Sequence, residues 1–277
     1  MLDTARVAKQ LNELGKAVAA LQKNGVSERS VEEKGIGREE KEKGELEEGK
    51  LTALKLEIAR LSNRVWKVVA EIARSHGENK HTWERALSAW SSHTPERTSL
   101  ELNNLTTLSN AALRHVPKMA HLQELSLIAS SGFDAAGLMH VSKLTGLAKL
   151  DVRQSPMLGG RTANVLEGIS AMTGLEDLCL SQTKDKGLRY LTGLTNLKVL
   201  SAPTEISDAG MEHVKQLTGL KRLELKDCRL GERGIACLEG LPGLERIKTN
   251  VDTLLTLDIG VLPGVVIAND QRVLFER

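Results

Sequence analysis

A leucine phrase of the form LxxLxL, or a close variant of it, recurs seven times and constrains this chain more than any other feature. The copies begin at residues 97, 122, 147, 175, 197, 220 and 244, so they follow one another at intervals of 22 to 28 residues. The phrase itself alternates with period two, which is typical of a strand, whereas the stretch that follows it, such as GIACLEGL at 234–241, has helical spacing. Each copy is therefore predicted to be a short strand, a turn and a helix. Stacked copies would bury a leucine core that no single copy could bury.

The segments that follow the strands identify the type of repeat. They read TTLSNAAL at 106–113, SGFDAAGL at 131–138, TEISDAGM at 204–211 and CRLGERGI at 228–235. They resemble the leucine-rich repeat family, and specifically its ribonuclease-inhibitor-like, cysteine-containing subtype, which continues from the strand with a phrase such as I-T-D-x-G-L. The resemblance covers about residues 97–264 and implies an α/β solenoid, a curved parallel sheet with helices on its outer side.

Two repeats depart from this pattern. The fourth, LCLSQTKDKGL, is shortened, and the seventh lacks the glycine phrase. The seventh is therefore predicted to lead into a C-terminal cap at 265–277, in which VVIAND at 265–270 would supply the last edge strand.

Several polar residues have structural roles predicted from their positions. In the family, side chains at the turn off each strand satisfy buried backbone groups; here these are Ser130, Ser155, Thr183 and Cys228. Cys228 is accordingly expected to be structural and not reactive. Ser109 and Ser207 precede helical segments and are expected to be their N-caps.

The residues before the repeats divide by pattern. Residues 1–24 and 51–75 carry apolar residues alternately three and four apart, which predicts amphipathic helices with a heptad seam. Residues 25–50 form a charged, glycine-containing linker, and 51–96 combine the heptad helix with a helical cap. The two apolar stripes could pair with each other, form a coiled coil with a second copy or another protein, or pack on the chain's own solenoid. The seam residues assigned to partner binding are Leu54, Ile58, Leu61, Val65 and Val68.

The three tryptophans, Trp66, Trp83 and Trp90, all precede residue 97. Thr82 is expected to N-cap a helix on which Trp83 and Trp90 share a face. These rings could form a hot spot for a partner. The interpretation that we favour is a cap that buries the open end of the repeat array.

Composition and motifs exclude several classes of function. A formal net charge of +2 and an aromatic content of 2% predict no nucleic-acid binding, and no apolar run reaches the length of a membrane span. Three cysteines without a CxxC pair favour a reducing compartment, so we expect an intracellular, cytoplasmic protein, with a mitochondrial presequence as the alternative. No phosphate-binding glycine loop, nucleophile elbow or HExxH phrase is present. We therefore expect no catalytic, cofactor-binding or metal-binding residues.

The remaining candidate site is the surface that the strands would present on the concave face of the solenoid. The last two repeat strands carry four basic residues and one acidic residue there, whereas the first four carry four acidic and two basic ones. This asymmetry could dock a partner of complementary charge, or the charges could simply pair along the sheet. The residues assigned to partner binding on this face are Lys149, Asp151, Arg153, Asp177, Arg222, Glu224, Lys226, Arg246 and Lys248.

These features together predict a non-enzymatic scaffold or adaptor, a subunit of a larger assembly. Its partners would be other proteins, held by the solenoid and by the helical arm, and self-association through the arm is a further expectation. The resemblance leaves two alternatives open: a substrate-recognition adaptor of a ubiquitin-ligase-type complex, or a regulator of a GTPase or other nucleotide-binding enzyme.

Overall fold

The computed structural model describes residues 66, 81–93, 98–155, 163–180, 184–202, 206–225, 228, 230–249, 266–268 and 273–275. The chain falls into two compact units, residues 1–78 and 79–277. Of the first unit, Trp66 is described: it is helical and buried. The predicted heptad seam and the charged linker lie outside the described residues, and their assignments stay predictions.

The second unit is built on one sheet whose strand order follows the sequence. The first eight strands are parallel, and the ninth pairs with the eighth in antiparallel fashion. The strands are β1 (Ser99–Glu101), β2 (Glu124–Ser126), β3 (Lys149–Asp151), β4 (Asp177–Cys179), β5 (Val199–Ala202), β6 (Arg222–Leu225), β7 (Arg246–Thr249), β8 (Val266–Ala268) and β9 (Val273–Phe275). Helices connect most of the parallel strands, so the predicted α/β leucine-rich repeat solenoid is confirmed.

The strand register confirms the repeat alignment residue by residue. The middle anchor of every repeat pairs with the middle anchor of the next, and each of these side chains is at most 1% exposed. A slip of one residue anywhere would turn the leucines to the opposite face of the sheet. The paired anchors are Leu100, Leu125, Leu150, Leu178, Leu200, Leu223 and Ile247.

The helices are short because each must span one repeat. They are α1 (Thr82–His93), α2 (Asn110–Leu113), α3 (Ala135–Val141), α4 (Ala163–Ser170), α5 (Asp185–Leu188), α6 (Asp208–Val214) and α7 (Glu232–Glu239), with 3-10 turns at Val116–Lys118 and Arg189–Leu191. The shortened fourth repeat has only the four residues of α5 and the 3-10 turn that follows. Apolar residues of each helix, such as Leu138 and Val141 of α3, face the buried leucines.

The turns after the strands use buried hydroxyls in the predicted way. The Ser130 hydroxyl donates to the carbonyl of Leu102 at 2.6 Å and accepts from the N–H of Leu105 at 3.0 Å, which links two consecutive repeats. Ser155 donates to the carbonyl of Leu127 at 2.8 Å. Both serines are fully buried and Cys228 is 4% exposed, whereas Thr183 lies outside the described residues.

Ser109 and Ser207 accept hydrogen bonds from the N–H groups of Ala112 and Ala209, which confirms both predicted N-caps.

A contact between Asp208 and Gly231 was not predicted, because it joins one repeat to the next. The carboxylate of Asp208 accepts from the N–H of Gly231 at 2.7 Å. A Cβ added at Gly234 would lie 2.5 Å from Asp208 Oδ1, so the glycine of the repeat phrase makes room for this carboxylate.

The start of the second unit agrees with the cap interpretation. Trp83 and Leu87 of α1 are fully buried, and Glu84 forms an ion pair of 2.7 Å with Arg114, the residue that ends α2. The predicted N-cap was wrong: Thr82 is already the first helical residue, and the carbonyl of His81 accepts the first helical hydrogen bond, from Arg85.

The other end of the sheet also required a correction. The sequence placed the last edge strand within 265–270. The structure puts β8 there, inside the sheet and in parallel register with β7, and β9 then folds back on β8 as the edge strand. The prediction failed because β9 is a short strand that carries no repeat phrase, so there was no sequence signal for a strand beyond VVIAND.

Candidate functional site

Two rows of side chains cover the face of the sheet opposite the leucines, since neighbouring residues of a strand point to opposite faces. We call this surface the open face; it corresponds to the concave face of the prediction. The first row comprises Ser99, Glu124, Lys149, Asp177, Val199, Arg222 and Arg246. The second row comprises Glu101, Ser126, Asp151, Cys179, Ser201, Glu224 and Lys248.

Charges alternate in the early part of the first row. Glu124 stands beside Lys149 in the register, and the ammonium of Lys149 lies 3.6 Å from a carboxylate oxygen of Asp177. Both partners of this ion pair are partly exposed, so it contributes roughly 0 to 1 kcal/mol. The contact between Lys149 and Asp177 is an instance of the lateral pairing that the sequence left as the alternative to partner docking, and their assignment to partner binding stays a prediction.

Asp151 and Arg153 form the shortest ion pair among the described residues of the open face. The Arg153 guanidinium donates to both carboxylate oxygens of Asp151, with the shortest contact, from Nη2 to Oδ2, at 2.7 Å. Asp151 is 6% exposed, and hydrogen bonding to this carboxylate raises the pKa of Arg153. Two of the residues assigned to partner binding thus form an ion pair with each other, between β3 and the turn after it.

A second polar chain crosses strands β5 to β7. The hydroxyl of Ser201 donates to Glu224 Oε2 at 2.9 Å, and the other oxygen of Glu224 lies 3.9 Å from the ammonium of Lys248. The carboxylate of Glu224 therefore interacts with two other residues of the second row. Ser201 was not among the assigned residues, since a lone serine on a strand gives no sequence signal.

Cys179 lies at the centre of the second row, between Asp151 and Ser201 in the register. Its thiol donates to a carboxylate oxygen of Asp177 at 3.6 Å. Burial, together with the negative charges of Asp151 and Asp177, raises the pKa of Cys179 to about 12. Because the thiolate is the reactive form, a thiol that stays protonated at neutral pH is inert.

The structure places the assigned residues in two groups. Eight of the nine assigned open-face residues are described, and all but Arg153 belong to the two rows; Arg153 follows them in the turn. Lys226 and the five seam residues, Leu54, Ile58, Leu61, Val65 and Val68, lie outside the described residues.

Among the residues that the structure describes, no group of three or more histidines, cysteines, aspartates or glutamates could hold a metal ion. In the same part of the chain, no helix is long and apolar enough to cross a membrane.

Comparisons with known proteins give distant likenesses. No protein-family model matches the chain, and no curated protein matches its sequence. Among solved structures, the chain is similar to the plant peptide hormone receptor RGFR1 in complex with RGF2, with 16% identity, a TM-score of 0.34, and coverage of 56% of this chain and 29% of the receptor chain. It is also similar to a leucine-rich repeat protein of Leptospira interrogans, with 16% identity, a TM-score of 0.35, and coverage of 65% of this chain and 56% of the other. The chain thus spans less than two thirds of both proteins, and the fold class rests on the strand register described above.

Proposed function

We propose that this chain is a non-enzymatic protein-interaction scaffold or adaptor that holds a partner against the open face of its sheet, as a subunit of a larger assembly. The observation that carries the proposal is the face itself. Seven successive parallel strands present two rows of mostly polar and charged side chains, of which Glu101, Glu124, Lys149, Arg222 and Arg246 are exposed. Such a broad, polar surface is typical of the way in which solenoids bind other proteins.

The chemistry of the same face supports binding over catalysis. The thiol of Cys179 is held in its unreactive form, and Asp151 and Glu224 are committed to Arg153, Ser201 and Lys248. A general base or nucleophile needs a group that is free to meet a substrate and has a suitable pKa. The contacts of these groups therefore favour a role in surface polarity and shape over a role in a reaction.

Position-specific cross-linking tests the proposal. A photo-cross-linking amino acid placed at Glu101 or Glu124, which are exposed on the open face, should give a discrete adduct with a partner protein in cells. The matched control positions are Glu167 on α4 and Glu212 on α6, which are also exposed but lie on the helical side. Adducts at the control positions alone, or at none of the four positions, would contradict the assignment of the open face as the binding surface.

A further inference from the structure

Two arginines stand side by side at one end of the first row. Arg222 of β6 and Arg246 of β7 are register partners, and both are exposed. Neighbouring strands lie about 4.8 Å apart, so the two side chains leave the sheet next to each other and on the same face. Like charges placed directly opposite each other in a sheet are destabilising.

The other described basic residues of this face each have a carboxylate partner. Lys149 pairs with Asp177, Arg153 with Asp151, and Lys248 with Glu224. Across the described residues, neither the Arg222 nor the Arg246 guanidinium has an ion-pair or hydrogen-bond partner. The carboxylate in the adjoining row, Glu224, is already engaged by Ser201 and Lys248. The arginine pair is therefore a local excess of positive charge that the sheet does not neutralise.

We propose that Arg222 and Arg246 bind an acidic segment of a protein partner, with two neighbouring aspartate or glutamate side chains each engaging one guanidinium. This inference rests on the proposed function and names the chemistry of the partner. A guanidinium donates two parallel hydrogen bonds to a carboxylate, which adds direction to the attraction. Val199, the half-buried neighbour of Arg222 in the first row, provides an apolar contact for the methylene groups of such a side chain.

The rest of the face limits the partner to a short anionic stretch. Glu101, Glu124, Asp177 and Glu224 occupy the same two rows. A nucleic-acid duplex carries about one negative charge per 1.7 Å of its axis and would be repelled by these carboxylates as it crossed the sheet. An acidic peptide segment that covers only β6 and β7 satisfies both arginines without meeting Glu101 or Glu124 at the far end.

The test uses the full chain and defined peptides. Fluorescence anisotropy measures binding of a fluorescein-labelled peptide, Gly-Ser-Asp-Glu-Asp-Glu-Ser-Gly, and of the matched neutral peptide in which Asn and Gln replace Asp and Glu. We expect saturable binding of the acidic peptide with a Kd below about 1 mM, and no saturation with the neutral one. The double variant Arg222→Gln/Arg246→Gln should bind the acidic peptide at least about tenfold more weakly, since two charge-assisted contacts are lost.

The control double variant, Lys143→Gln/Lys186→Gln, removes the same charge from exposed positions on the helical side. It should bind within about twofold of the wild type. The proposal is overturned if the acidic peptide does not saturate, if the two double variants lose affinity equally, or if the neutral peptide binds as well. It is also overturned if a phosphoserine peptide or an oligonucleotide binds more tightly than the acidic peptide.

A stability measurement gives an independent readout. Arg246→Glu places a carboxylate beside Arg222, so the free protein should unfold at a higher denaturant concentration than the wild type while acidic-peptide binding is lost. A variant that is both less stable and unable to bind would show that Arg246 holds the sheet together, and would overturn the proposal. Cross-linking from Glu124 does not depend on the arginines, so its persistence when the peptide test fails would leave the proposed function intact.

Discussion

The buried hydroxyl of Ser130 provides the sharpest test of how consecutive repeats are joined. It donates to the Leu102 carbonyl at 2.6 Å and accepts from the Leu105 N–H at 3.0 Å, and the side chain is fully buried. Ser130→Ala removes both partners at once and leaves a gap smaller than a water molecule. Two backbone groups of the preceding repeat then lose their hydrogen bonds inside the protein.

The expected cost follows from these two groups. A buried backbone group left without a partner costs about 1 to 3 kcal/mol, and partial relaxation of the turn puts the sum at about 2 to 4 kcal/mol. For a folded unit of this size that corresponds to a fall in Tm of about 4 to 16 °C. Guanidinium chloride unfolding followed by circular dichroism measures the free energy, and a thermal melt measures the Tm.

The chain supplies its own controls for this change. Ser130→Cys should recover at least about half of the loss, because Cys228 already occupies the corresponding turn of a later repeat and is 4% exposed there. Ser142→Ala removes an exposed hydroxyl that donates to the carbonyl of Met139, and it should change the free energy by no more than about 0.5 kcal/mol. If Ser130→Ala unfolds at the wild-type midpoint, the hydroxyl does not hold the repeats together and the reasoning is wrong.

Three further predictions concern other parts of the repeats. Gly219→Ala should destabilise the fold by about 1 to 3 kcal/mol, because the new Cβ would lie 2.6 Å from the Thr195 carbonyl oxygen. Gly146→Ala, in the same LTGL phrase but with no atom within 4 Å, should be neutral or slightly stabilising, and equal urea midpoints for the two variants would contradict this. Leu223→Asp should abolish the cooperative melt by circular dichroism, because an unpaired carboxylate would enter the core shared by three strands; an unchanged melt would refute the repeat alignment. Native Cys179 should resist iodoacetamide at about pH 8 and react only as the pH approaches 12, since its raised pKa keeps the thiol protonated; labelling as fast as in the unfolded chain would contradict this.

The sequence was sufficient to predict the first seven strands of the sheet because its evidence is periodic. Each leucine anchor constrains its own strand, and seven in-phase copies leave one register that buries all of them. The alignment located Ser130 and Ser155 at the turn off their strands, and their buried roles were implied by the resemblance to the leucine-rich repeat family. The helix caps at Ser109 and Ser207 were predictable for a different reason, namely that capping is local in sequence.

The features that were missed depend on contacts between repeats or within a turn. The hydrogen bond from Gly231 to Asp208 joins positions 23 residues apart, and the phrase SDAG gives no indication that its carboxylate serves the next repeat. The ion pair between Asp151 and Arg153 was not predicted either, because the sequence does not give the distance between two charged side chains on a strand face. A charged side chain can pair with a neighbouring residue or bind a ligand, and only the interatomic distances distinguish these two cases.

That distinction separates the two basic residues of β7. Lys248 follows Arg246 by two positions on the same face, and the sequence assigned both to one basic patch. In the structure Lys248 offsets the charge of Glu224, whereas Arg246 adds its charge to that of Arg222. Leu223 of β6 and Ile247 of β7 are buried register partners and hold the sheet register whatever stands at the exposed positions, so folding does not require two arginines at adjacent positions of the first row. The sheet pairs the positive charges of Lys149, Arg153 and Lys248 with its own carboxylates, whereas those of Arg222 and Arg246 have no such partner in the described part of the chain. The proposed acidic ligand would supply the carboxylates that pair with these two arginines.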